Sequence, residues 1–137
     1  MIATNLNVIL KDSLISSGYS GIKIYPINAY GESEAPFITW IEFPSIKDSE
    51  QYWMYESIIT YNILDNDLSR VRDIALDIET FLNVGDDIDA LKTAMIPQSP
   101  AFRLLWCRMI GGGMYAPLER EGFTSMDRMF QVGYVRV

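Results

Sequence analysis

Glu42 and Glu56 sit in two runs of alternating side chains, on either side of a polar connection. If those runs pair as a hairpin centred on residues 48 to 49, the two carboxylates lie nearly opposite, with Cβ atoms about 4.5–5.5 Å apart. Paired carboxylates at that reach run retaining glycosidases. The plainer reading is a pairing slipped by two residues, or two charges solvated on a wet face. A small hydrolase built on this pair would lose its activity on a Glu56→Gln change.

Three other groups invite a chemical reading. Asp65-Asn66-Asp67 resembles the start of a calcium loop, but the sixth and twelfth places hold Arg70 and Leu76 where glycine and a carboxylate are needed. The set reads better as a helix cap, with Asn66 at the N-cap. Gly111-Gly112-Gly113 lacks the Gly-Lys-Ser/Thr and the helix start of a phosphate loop, and reads as a hairpin loop. Asp86, Asp87 and Asp89 could hold a hard cation, yet acids at the start of a helix suit its dipole.

Composition removes much of the remaining chemistry. With no histidine and one cysteine, the chain has no Ser-His-Asp or Cys-His nucleophile pair, no four-ligand zinc site and no histidine for haem. No cofactor and no metal is expected. Cys107, inside Leu104-Leu105-Trp106-Cys107, reads as a small core hydrophobe. Eighteen acidic against eleven basic side chains, a formal charge of −7, argue against tight binding of a phosphate backbone. No apolar run approaches the roughly 18 residues that span a bilayer, and no basic residue precedes Lys11, so neither membrane nor signal peptide is expected.

These residues must be carried by a scaffold, and 137 residues suit one domain, 1–137. Ile2, Leu6, Ile9, Leu10 and Leu14 share a helix face that ends at Gly18. Ile22 to Ile27 is a short edge strand closed by Pro26. Phe37 to Phe43 alternates, with Phe37, Thr39, Ile41 and Phe43 opposite Ile38, Trp40 and Glu42. Met54 to Leu64 sets Tyr55, Ile59, Tyr61 and Ile63 opposite Ile58 and Leu64, and pairs with the preceding strand. Leu68, Val71, Ala75, Ile78 and Leu82 form a second helical stripe ending near Asn83 to Gly85. Asp87 to Met95 reads as one more short helix, with Ile88, Leu91 and Met95 inward. Phe102 to Ile110 and Phe123 to Val135 form a second hairpin with a long loop. The order gives an α+β domain: a mostly antiparallel sheet of four or five strands, two amphipathic helices on one face and long hairpin loops.

Aromatic residues are in surplus for so small a domain: three Trp, eight Tyr and six Phe. Tyr, Trp and Met are enriched in interface cores. Lys47, Asp48, Tyr52, Trp53 and Tyr55 in and beside the first long loop, with Met114 and Tyr115 in the second, are the candidate subunit or partner contacts. Packing of the aromatics beneath their own loops is the equal alternative.

The order of elements, with Ala35-Pro36-Phe37-Ile38-Thr39-Trp40, Ile58-Ile59-Thr60-Tyr61-Asn62-Ile63 and Val71-Arg72-Asp73-Ile74-Ala75, resembles the tail terminator (tail-completion) family of long-tailed bacteriophages. The resemblance spans nearly the whole chain and rests on order and lengths. It implies a homo-oligomeric ring, typically of six subunits, that caps the tail tube, stops its polymerisation and docks the head-completion (neck) proteins. It implies no catalytic residues, and a place in the virion tail or neck after assembly in the host cytoplasm. Another neck, connector or minor tail ring, or a regulatory interaction module, would share the composition. Six copies at −7 each would surround passing DNA with negative charge, so the genome would slide through the lumen without adhering.

Overall fold

The computed structural model describes residues 2–27, 36–44, 54–98, 101–112 and 124–136. Along these run α1 (Ile2–Ser16), β1 (Lys23–Pro26), β2 (Phe37–Pro44), β3 (Met54–Asp65), α2 (Leu68–Leu82), α3 (Asp89–Met95), β4 (Phe102–Gly111) and β5 (Thr124–Arg136). The strands form one sheet in the order β1-β2-β3-β5-β4. Every pairing is antiparallel except β1 with β2, which is parallel. The fold is the expected α+β class, with five strands and α3 as a third helix.

The periodicities explain which faces meet. The α1 stripe Ile2, Leu6, Ile9, Leu10 and Leu14 is buried to the last residue, as are Val71, Ile74, Ala75, Ile78 and Leu82 of α2. Burial of one such aliphatic side chain contributes about 1.5–3 kcal/mol, so these two stripes are the main hold on the helix layer. They pack on Ile38 of β2, Ile59, Tyr61 and Ile63 of β3, and Phe130 and Val132 of β5. Those positions alternate along their strands and share one face of the sheet. Ile88, Leu91 and Met95 bring α3 onto the same core, where Cys107 is fully buried. The other face also carries buried side chains, among them Phe37 and Leu64, while Phe43 is exposed.

Local chemistry sets the ends. Gly18, at φ 105°, takes the left-handed conformation that closes α1, and the Tyr19 amide donates back to the Leu14 carbonyl. At α2 the expected cap moves by one residue. Asp67, in extended conformation, accepts from the Ser69 amide at 2.9 Å, whereas Asn66 donates its own amide to Asp65. The carboxylate of Asp67 gains the added attraction of the helix N-terminus, which a neutral asparagine lacks.

Candidate functional site

The register of β2 with β3 decides the fate of the paired carboxylates. Glu42 lies opposite Ile59, three residues beyond Glu56, so the connection is centred between residues 50 and 51 and not at 48 to 49. An odd shift in a pleated pair moves a side chain to the opposite face. Glu42 therefore points at the helices and Glu56 away from them, with the sheet between. The geometry of a glycosidase pair is absent.

On the helix side, Glu42 is 8 % exposed and takes two hydrogen bonds. The Ala3 amide donates to Oε1 at 2.9 Å and the Ser57 hydroxyl to Oε2 at 2.8 Å. Ala3 belongs to the first turn of α1, whose amides have no partner within the helix. A strand carboxylate thus caps α1 from outside it, with favourable charge for the helix N-terminus. Ser57 is fully buried, so its hydroxyl holds the capping carboxylate in place and meets no solvent. Nearby, the Tyr61 hydroxyl donates to Asn7 Oδ1 of α1 at 2.6 Å. Burial pushes the Tyr61 phenol well above its ordinary range, with the neighbouring Cys107 and Glu42 adding to the shift. It stays a neutral donor.

On the far side, Gln131 of β5 bridges Arg108 and Glu56. It accepts from the Arg108 guanidinium at 3.3 Å, and its own amide donates to Glu56 at 3.4 Å. The Arg108 guanidinium also lies 4.6 Å over the Trp106 ring, within cation–π range. Trp106 can lie flat there because its neighbour across the ladder is Gly133, where a Cβ would fall 2.3 Å from the ring.

The second long loop is held at its root. Arg128 of β5, 8 % exposed, sends Nη1 to the carbonyls of Gly112 and Asp127, both at 2.7 Å, and Nε to Glu79 of α2 at 2.6 Å. Gly112 has φ 87°, and a Cβ on it would meet the Asp127 carbonyl oxygen at 2.4 Å. Glycine is required where strand backbones come this close.

Asp65 is buried and faces Arg70 across 3.2 Å, an ion pair beside the α2 cap. Among the described residues no cluster of acidic or cysteine side chains could hold a metal ion, so Asp86, Asp87 and Asp89 are exposed acids at the start of α3. Tyr55 stacks on Tyr134 at 5.5 Å, and Phe102 meets Tyr134 edge-on at 5.4 Å. Lys47, Asp48, Tyr52, Trp53, Met114 and Tyr115 lie outside the described residues. Sequence reasoning missed Arg128 and Asn7. A lone arginine at an inward position of a strand was the available signal for the first, and an asparagine beside the α1 stripe for the second.

The fold is shared with a virion chain. That chain belongs to a solved structure described as the virion of a native gene transfer agent (GTA) particle, and the match covers 93% of this chain and 92% of that one at a TM-score of 0.55. The two sequences are 10% identical, so the likeness to the virion chain is one of fold. No protein-family model matches the sequence, and no curated protein matches it. No described helix is long and apolar enough to cross a membrane.

Proposed function

We propose that this protein is a structural subunit of a phage-like virion, a tail terminator whose ring caps the tail tube, stops its polymerisation and joins it to the head-completion proteins. The observation that supports this reading is the fold shared with the virion chain, over 93% of this chain and 92% of that one. The mechanism is geometric. A ring whose one face matches the last ring of the tube, and whose other face differs, leaves the next tube subunit without a complementary surface. The excess of acidic side chains fits a lumen through which DNA passes without adhering.

Electron microscopy of the purified protein, alone and mixed with tail tubes, tests the proposal. Rings that bind tube ends and halt tube growth are expected, with Trp53→Ala/Tyr115→Ala weakening ring assembly in a folded monomer. Rings that bind only a neck or connector would assign the protein to another ring of the virion. A protein that stays monomeric at all concentrations and ignores tube ends would end the reading.

A further inference from the structure

Between α1 and the β1 edge of the sheet lies an open cleft of about 190 Å³, lined by Thr4, Asn7, Val8, Lys11, Ile24 and Trp40. Thr4, Val8 and Lys11 recur at helical spacing, so one stripe of α1 makes a wall, with Ile24 of β1 and Trp40 of β2 opposite. The cleft is mostly apolar, and among its described lining residues Lys11 is the one cation, exposed on its wall. Asn7 supplies a second polar feature. It is 8 % exposed, its Oδ1 is taken by Tyr61, and its Nδ2 is buried with no acceptor. A buried donor left unpaired costs about 1–3 kcal/mol, which favours an occupant that brings an acceptor. Apolar walls, a cation and an orphan amide donor together select an acidic turn with free carbonyl or carboxylate oxygens.

This chain displays such a turn at its opposite edge. β1 and β4 are the two edges of the sheet. Beside β4, the turn between α2 and α3 exposes Asp86 and Asp87, and Asp89 opens α3. The turn is fixed there by a two-way backbone bridge, in which the Gly85 amide donates to the Cys107 carbonyl at 2.7 Å and the Cys107 amide to the Gly85 carbonyl at 3.1 Å. On the far face both edges carry cations, Lys23 on β1 and Arg103 and Arg108 on β4, so like charges oppose contact there. Among the described residues, charge complementarity between the edges is found on the side of Lys11 and the α2–α3 turn.

We propose that the α1–β1 cleft receives the α2–α3 turn of a second copy of this chain, head to tail, with Asp86 and Asp87 facing Lys11. The inference rests on the ring reading above and adds to it a subunit contact distinct from Trp53 and Tyr115. Opposite edges of one protomer make a heterologous contact, which closes into a ring when the rotation per subunit permits.

Sedimentation velocity across a concentration series tests it, with circular dichroism confirming that each variant is folded. Lys11→Glu, Val8→Trp, which fills the cleft from an exposed position, and Asp86→Lys/Asp87→Lys should each raise the assembly concentration at least tenfold. Lys11→Glu combined with Asp87→Lys in one chain should recover assembly. Rings formed by all of these variants as readily as by the natural chain would overturn the inference and leave the ring reading standing. Folded single-site variants that dissociate but are not recovered by the charge swap would overturn the pairing. A natural chain that never assembles would overturn both readings.

Discussion

Arg128 on β5 and Glu79 on α2 meet at 2.6 Å, with the arginine side chain 9 % exposed and the glutamate 26 %. The same guanidinium holds the Gly112 carbonyl, so one side chain ties the helix layer to the root of the second long loop. Arg128→Ala removes the bond to α2 and takes the guanidinium donor from a half-buried carboxylate and two backbone carbonyls. Removing one partner of a buried pair costs about 3 kcal/mol or more. Urea unfolding should show that loss, and Arg128→Met with Glu79→Leu should recover the part owed to the stranded carboxylate but not the part owed to the Gly112 and Asp127 carbonyls. Equal loss in the single and double variants would contradict the account.

Glu42 is expected to behave as a cap and not as a catalyst. Glu42→Gln keeps an acceptor for Ala3 or Ser57 but loses the charge at the α1 N-terminus, at about 1 kcal/mol. Glu42→Ala strands both donors and should cost about 2–3 kcal/mol. Thermal unfolding followed at a helix band ranks the two. Glu56→Gln, on the other face and bonded to Gln131, should change stability by under about 0.5 kcal/mol. A larger effect at Glu56 than at Glu42 would contradict this assignment.

Gly133 and Trp106 form a coupled pair. Gly133→Ala drives a methyl into the indole, with approaches of 2.3 to 2.7 Å, and the ring must leave the sheet. Overpacking of this kind costs about 1–3 kcal/mol. In Trp106→Ala the same glycine change should be nearly neutral, so a double-mutant cycle reads the contact directly. A shifted tryptophan emission in Gly133→Ala alone accompanies the loss. Additive costs would mean that the ring has another place to go.

Most of this architecture was legible because apolar spacing reports which face of a helix or strand is buried. The α1 and α2 stripes, the two faces of β2 and β3, and the inward set Ile88, Leu91 and Met95 follow from period alone. Register does not, because it depends on the geometry of a connection whose residues carry no strict turn signal. A three-residue difference sufficed to separate Glu42 from Glu56 by the thickness of the sheet. The parallel pairing of β1 with β2, and the insertion of β5 between β3 and β4, join segments by long-range contact that no local pattern encodes. The capping of α1 by Glu42 is unreadable for the same reason: donor and acceptor stand 39 residues apart.

Cys107 supplies a test of the core through pH. Burial pushes its thiol up from an ordinary 9.0 to about 12. The folded protein therefore keeps the proton where the unfolded chain has lost it, and unfolding releases protons between pH 9 and about 12. Stability falls with rising pH wherever the native state binds more protons. Below pH 9 this group contributes no slope; above it the loss grows toward a few kcal/mol, each pH unit being worth about 1.4 kcal/mol. Tyr61, raised by burial in the same core, acts in the same direction. The difference between the natural chain and Cys107→Ala reports the thiol together with the part of the Tyr61 shift that it causes. Urea midpoints from pH 7 to 11 should fall more steeply for the natural chain above pH 9 and in parallel below it. Iodoacetamide at pH 8 should label Cys107 only as fast as the protein unfolds; rapid labelling under native conditions, or identical alkaline slopes in the two proteins, would place the thiol outside the core.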